Sequence, residues 1–516
     1  LQPAQIGPQD LERESISYLS QLSGLDEQHF SCRGRSVDRT VFGQVALRTS
    51  CIVVDTFPIA TPGASDSKIY AAMRKASHIH YRTRPWRERQ NALNAAFLAL
   101  RGGGTVISPL TGAEARILGN VMIGPRQATL CLDQGRLAVL LSVGQEPLCF
   151  FYPTEKLILT LSVRQLAATH GVGDFLNGFL GQPTLYAEWI KRALRQGLQP
   201  LYIIGDNRPG HFVKQSLAYL DFHEEAIASF ARKGGMLAVL PDLCAIDPLW
   251  VFPKLADCSR ITIRSDQASI RFLRAGFDAY RIYRATTHPD AAWLRKRLEM
   301  HNRVPSVAAT QRRFKVLISV DAERMRIINQ IEAFRFVLRK LGEACADEGS
   351  ALDVVWDGWT VPNEPDANDL TVMERIRDQI GQIMADLPVT IRNQTVIYDR
   401  SSQNKIPEMV DCDLVLVTQG TGAVIPCWLL QRKSITYQTP TVMADRSCID
   451  ESVTFNVDQR AIYCPPTEPG TPHNVHCFEL KLWGLEDALV RAVGDRLTIR
   501  REQAGLDAEA ELQQSV

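Results

Sequence analysis

Gln419-Gly420-Thr421-Gly422 follows five apolar or β-branched residues, Leu414 to Thr418, and runs into the apolar stretch Ala423 to Leu430. The pattern predicts a buried strand, a tight glycine turn and a short helix. Two glycines allow positive φ and close backbone approach, and the first turn of a helix carries N–H groups without intrahelical partners. Such a turn is a ready anion site, and phosphate is the common occupant. The same glycines also suit a plain strand-to-helix connection, and a lone G-x-G does not decide between the two.

Other chemistries find less support along the chain. There is no G-x-S-x-G nucleophile elbow, and neither Gly205 nor Gly420 opens a full G-x-G-x-x-G dinucleotide fingerprint. The ten histidines are dispersed without H-x-x-x-H; His78 and His80 in "HIHYR" share a strand face but lack a third ligand, so they read as structural and no metal is expected. Twelve cysteines occur without a C-x-x-C pair, and Cys131, Cys149 and Cys427 sit inside apolar runs. They read as small core residues in a reducing cytosol.

With 58 Lys plus Arg against 57 Asp plus Glu, the net charge of +1 argues against a broadly basic nucleic-acid binder. No apolar run reaches the length of a membrane span, which leaves a cytoplasmic protein with peripheral attachment to the inner face of a membrane still open. The opening "LQPAQIGPQD" has neither Met nor an apolar leader, so a trimmed N-terminus is expected.

Elements to position the glycine turn are legible over most of the 516 residues. The first hundred mix helical pattern, "DLERESISYLSQLSGL" and "YRTRPWRERQNALNAAFLALR", with one strand at Cys51 to Asp55; Arg82, Arg84, Arg87, Arg89 and Arg101 make a locally basic face. After "RGGGT" come short strands separated by Gly, Gln and Pro, an antiparallel meander. From Leu201 strand and helix alternate: strands at Leu201–Ile204, Met236–Leu240, Arg260–Arg264 and Ala279–Tyr283, and helices at Phe212–Arg232 and Gln267–Ala275. A linker, "VPSVAATQRR", leads to a second series: "FKVLISV", a long helix from Glu323 to about Ala346, "LDVVW", the helix "DLTVMERIRDQIGQIMADL", the strand "QTVIYD", a short helix at "NKIPEMV", and the glycine-turn segment. Alternation of this kind implies parallel strands and right-handed crossovers. The expected fold is α/β: two Rossmann-like domains facing across a cleft, residues 171–305 and 306–516, with an additional N-terminal α+β region over 1–170.

The stretch from Asp413 to Thr441 resembles the C-terminal nucleotide-sugar motif of GT-B glycosyltransferases of the heptosyltransferase type, in which a strand, a D-T-G turn, a helix, a strand and a G-P-T-like loop follow one another. Thr421-Gly422 takes the place of the T-G, and "YQTPT", Tyr437 to Thr441, that of the later loop. Gly420 stands where the family has Asp and Ile425 where it usually has His; these departures bear on the donor sugar and leave the backbone amides in place. The family opens its first domain with a strand ending in Gly-Asp, matched here by Gly205-Asp206 in "LYIIGDNRPGH". The resemblance covers about 300 residues, from Gln199 onward, through short motifs.

It implies that Asp206, or else His211, acts as the base on an acceptor hydroxyl, with a turn or helix-start role as the alternative for each. The donor diphosphate would rest on the amides of Gly420, Thr421, Gly422 and Ala423, with Arg324 or Arg326 adding charge, and with Thr439 in the later loop. Trp359, beside Asp357 and Thr360 in "VVWDGWTVP", would either stack on a base or sugar or close a domain core. The implied activity is transfer of a sugar from a nucleotide-activated donor to a hydroxyl of a glycan, lipid-linked saccharide or protein, inverting and without metal or cofactor, since helix dipoles and basic side chains stabilise the leaving diphosphate. A nucleotide-sugar epimerase or hydrolase, and a degenerate GT-B scaffold or glycan-binding protein, are the alternatives.

Overall fold

The computed structural model describes residues 52–55, 83–100, 104–123, 126–143, 146–152, 157–161, 182–206, 209–281, 291–300, 313–323, 325–360, 367–439, 449–466 and 476–501. The helix expected at "DLERESISYLSQLSGL", the pair His78 and His80, Arg82, Arg101, the linker "VPSVAATQRR" and Arg324 lie outside them. Chain contacts divide the protein into two compact units, the first made mainly of residues up to 287 and the second mainly of 288–516. The N-terminal sheet and the first parallel sheet belong to the same unit.

In the first unit, β1 (Ile52–Asp55), α1 (Thr83–Leu98), β2 (Thr105–Ile107), β3 (Glu114–Ile123), β4 (Arg126–Asp133), β5 (Arg136–Val143), β6 (Glu146–Tyr152) and β7 (Leu157–Thr160) come first. The strands form one sheet in the order β1-β7-β6-β5-β4-β3-β2, antiparallel except where β1 pairs with β7. This is the expected meander of β4 to β7, with two further antiparallel strands, β2 and β3, ahead of it. Its two faces are both apolar: Val139, Leu141 and Phe151 pack against Tyr186, Trp189 and Ile190 of α2 (Pro183–Arg195), while Ala138, Leu140 and Phe150 pack on the side of Trp86. Alternate residues of a strand point to opposite faces, which is how one strand serves both layers.

A parallel sheet follows, built from β8 (Gln199–Ile204), α3 (Leu217–Arg232), β9 (Met236–Val239), β10 (Arg260–Thr262), α4 (Ser265–Ala275) and β11 (Phe277–Arg281), in the order β10-β9-β8-β11. The helix leading into α3 begins at Pro209 and passes through a π-type turn at 212–216. α4 stops at Gly276, whose φ of +76° is the left-handed conformation that ends helices. The meander is tied to this sheet by Trp189, whose indole N–H donates to the Phe277 carbonyl at 2.8 Å, and by Asn120, whose backbone and side-chain N–H groups donate to Asp278 at 2.7 and 2.8 Å.

The second unit contains α5 (Ala292–Met300), β12 (Arg313–Ser319), α6 (Gln330–Asp347), β13 (Ala351–Asp357), α7 (Ala367–Met384), β14 (Ile391–Val396), α8 (Ser402–Met409), β15 (Leu414–Thr418), β16 (Ser434–Tyr437), β17 (Thr454–Asn456), β18 (Ile462–Tyr463), β19 (Glu479–Leu480) and α9 (Leu482–Val493). Its six-stranded sheet has the order β14-β13-β12-β15-β16-β17, all parallel. β12, β15 and β16 are buried along nearly their whole length, as parallel strands covered on both faces must be. Val337 and Leu341 of α6 and Leu485 and Leu489 of α9 enter the same core as Val316, Leu416 and Ile435, so the final helix closes this unit. At the amino end of the strands Asp411 accepts from Arg313 and Lys315, each at 2.5 Å.

Three expected elements change. The long helix expected from Glu323 starts only at Gln330, because residues 326–328 pair with another segment: Phe478 N–H donates to the Arg326 carbonyl at 2.7 Å and Ile328 N–H to the Phe478 carbonyl at 2.8 Å. The strand expected at "QTVIYD" lies three residues earlier, at Ile391–Val396, in register with β13. After the glycine turn there is a 3₁₀ turn at 421–423 and a π-type turn at 424–429 in place of an α-helix. Pro426 has no N–H to give and its ring crowds the carbonyl four residues back, so the ladder widens to Leu430 N–H on the Ile425 carbonyl at 2.9 Å. Among the described residues no helix is long and apolar enough to cross a membrane.

Candidate functional site

The six-stranded sheet reverses direction between β12 and β15: the chain builds β12, β13 and β14 outward one way, then returns to place β15, β16 and β17 the other way. In open parallel sheets this reversal leaves a crevice at the carboxyl ends of the two central strands, where ligands bind. Two loops meet it, the one after Ser319 and the one after Thr418.

The second of these is the glycine turn. Gly420 has φ +136°, a conformation side chains rarely adopt, and a Cβ there would meet nothing within 4 Å; the backbone demands the glycine, not the packing. Gly422 is exposed, and its Cβ would come 3.3 Å from Val417 Cγ2. Ala423 N–H closes the turn onto the Gly420 carbonyl at 3.1 Å, which removes it from the amides an anion could use and leaves those of Gly420, Thr421 and Gly422. The Thr421 side chain lies outside the described residues. With only a short 3₁₀ and π-type segment behind it, the turn would bind an anion through local amides, without the added dipole of a long helix.

The first loop brings a mostly buried ion pair. Arg326 Nε donates to Asp321 Oδ2 at 2.9 Å, and Asp321 N–H donates to Gln330 Oε1 at 2.8 Å, at the start of α6. A phosphate would therefore have to be reached by the terminal nitrogens of Arg326. Met325, next to it, is 55% exposed and has φ +49°. Left-handed backbone costs a non-glycine residue about 1–2 kcal/mol, and strain of this kind gathers at functional sites. Beside the loop a groove of about 670 Å³ runs past Met325, Ile328 and Arg335.

β16 completes the crevice. Tyr437 Oη, Gln438 Nε2 and Thr439 Oγ1 are buried without a hydrogen-bond partner among the described residues. Burial pushes the Tyr437 hydroxyl well above its ordinary range; Asp321 adds to the rise and Arg326 opposes it, so all three groups share one field. Gln438 Oε1 does accept from the Thr439 N–H at 3.0 Å, but three unpaired polar atoms on consecutive buried side chains are costly unless something else binds them. Thr439 follows β16, the strand paired with β15 that leads into the glycine turn, while Tyr437 and Gln438 carry polar groups that the residue types alone did not single out.

Trp359 lies at the carboxyl end of β13, where its indole N–H donates to Asp369 Oδ1 at 2.7 Å and its ring packs on the core. That is the core-closing role weighed against ligand stacking. Asp357 is paired with a residue the sequence reading missed: Lys405, 1% exposed, donates to Asp357 Oδ1 at 2.6 Å, the Trp359 carbonyl at 2.5 Å and Thr360 Oγ1 at 3.0 Å. A signal was available, since Lys405 shares the inward face of α8 with Ser402, Ile406 and Met409 at helical spacing.

Asp206 and His211 belong to the first unit. Its parallel sheet also reverses, between β8 and β11, and Gly205-Asp206 is what β8 delivers at that point. Asp206 is 6% exposed and its N–H donates to the Leu243 carbonyl at 2.8 Å. His211 is exposed, in helical backbone at the start of the π-type turn. Gly205 has φ +152°, and a Cβ there would stand 3.0 Å from Leu243 Cβ and 3.2 Å from Leu240 Cβ. Gly205→Ala is expected to destabilise the protein by about 1–3 kcal/mol, measured by denaturant unfolding; an unchanged midpoint would show that the loop relaxes around the methyl group.

Compared with known protein families, curated proteins and solved structures, the chain matches none.

Proposed function

We propose that the protein is a glycosyltransferase of GT-B arrangement, moving a sugar from a nucleotide-activated donor to a hydroxyl of a glycan, lipid-linked saccharide or protein. The observation that supports the reading is the placement of both motifs: Gly205-Asp206 and the 420–422 turn each sit at the carboxyl end of a strand flanking the reversal of a parallel sheet. In the proposed step the acceptor oxygen attacks the anomeric carbon, the bond from that carbon to the diphosphate oxygen breaks, and the acceptor proton passes to the Asp206 carboxylate. Displacement from the opposite face inverts the centre. The leaving nucleoside diphosphate is held by the amides of Gly420 to Gly422 and by Arg326, so charge builds where donors already stand. Thr439 and its neighbours supply hydrogen bonds to the donor.

The scaffold reading has two observations in its favour: Ala423 N–H is closed onto the turn, and Ile425 takes the place of a polar side chain. Thermal unfolding with UDP, GDP, ADP, CMP and TDP separates the two. One nucleotide at about 100 times its Kd is expected to add about 2.7 kcal/mol of stability, and the gain should vanish in Gly422→Leu. No shift with any of the five would favour the scaffold, and nucleotide release from a bound nucleotide sugar without acceptor would favour an epimerase or hydrolase.

A further inference from the structure

The first unit has an open cavity of about 800 Å³ where α1, the β3–β5 face of the meander and β11 meet. This is within the range of small-molecule sites. Its apolar wall includes Trp86, Phe97 and Tyr280, with the Phe97 and Tyr280 ring centroids 4.9 Å apart. Several of the lining donors are engaged. Tyr280 Oη donates to Asn94 Oδ1 at 2.9 Å, Thr129 Oγ1 and Gln127 Nε2 donate to Asn120 Oδ1 at 2.7 and 3.2 Å, and Asn120 Nδ2 donates to Asp278 Oδ1 at 2.8 Å.

Two acceptors are not engaged. Gln90 lines the cavity, is 6% exposed, and its Oε1 has no hydrogen-bond partner among the described residues. Asp278 Oδ1 takes both bonds from Asn120, while Oδ2 takes none from the described residues. Burial pushes the Asp278 carboxyl up to about 6, with the Asn120 bonds pulling the other way. A carboxylate oxygen left without a donor in a pocket rewards a ligand that brings one. Arg116 and Lys233 are exposed and stand on the cavity's lining, where an acidic tail could reach them.

We propose that this cavity binds a small planar heterocycle whose edge donates N–H bonds, of the amino-substituted nucleobase kind, with Asp278 and Gln90 as its acceptors and the aromatic wall as its face. The inference does not rest on the glycosyltransferase reading, since the cavity and the glycine turn lie in different units.

The test is calorimetric titration of the full chain with guanine, guanosine, cytidine and glucose, none of which carries a diphosphate for the turn. An amino-bearing base or nucleoside is expected to bind, with affinity falling about tenfold or more in Asp278→Asn, which turns an acceptor into a donor, and unchanged in Gly422→Leu. Gln90→Leu serves as the second variant if circular dichroism shows that Asp278→Asn misfolds. Binding of glucose alone, binding of none of the four, or loss in Gly422→Leu with retention in Asp278→Asn would each overturn the proposal.

Discussion

Asp206→Asn is expected to lower glycosyl transfer by about 10²–10⁴-fold, the usual contribution of a general base, while leaving nucleotide affinity within twofold. The substitution keeps the side-chain shape at a position only 6% exposed, and the backbone bond to the Leu243 carbonyl does not depend on the carboxylate. What it removes is the capacity to take a proton from the acceptor hydroxyl. Initial rates with saturating donor, together with a nucleotide titration of the same variant, read the two quantities separately. Retained turnover would take Asp206 out of the catalytic role and leave it as a turn residue, with His211 the next to replace.

The largest stability effect is expected at Lys405. Its ammonium group donates three hydrogen bonds from a position 1% exposed, and Asp357 opposite is 5% exposed. Lys405→Met leaves that carboxylate buried and uncompensated, which costs about 3–5 kcal/mol in comparable pairs. The double variant Lys405→Met, Asp357→Asn should recover much of the loss, because an amide without a charge is far cheaper to bury than a lone carboxylate. Denaturant unfolding of the two variants gives the comparison. A loss below about 1 kcal/mol in the single variant would mean that Asp357 finds another donor when the lysine is gone. The pair also fixes the loop carrying Trp359 and Thr360, so its effect on nucleotide affinity would tell whether that loop reaches the crevice.

How far the residues alone carried the reading differs from element to element. The buried strand Leu414–Thr418 was plain from an unbroken run of apolar and β-branched residues, since a parallel strand covered on both faces has no polar side to alternate, and Arg313–Ser319 from Val316-Leu317-Ile318 in spite of Lys315. The meander was plain from Gly, Gln and Pro punctuation. The start of α6 was not: residues 326–328 have acceptable helical composition, and only pairing with Phe478, some 150 residues away, draws them out of the helix. The turn after Gly422 failed as an α-helix for a local reason that was visible, Pro426 at its centre.

The sequence by itself determined the alternation of strands and helices, the positions of Gly205-Asp206 and Gly420-x-Gly422 at strand ends, and the absence of the fingerprints of several other enzyme classes. These are local properties, set by side-chain period, glycine freedom and spacing. Tertiary structure decided the rest: which strands flank the reversal of each sheet, that Tyr437, Gln438 and Thr439 are buried beside the Asp321–Arg326 pair, that Lys405 is an interior cation, and that Gln90 and Asp278 share one cavity. Each of these joins residues far apart in the chain, and the energy that pairs them comes from burial, which no short stretch of sequence contains.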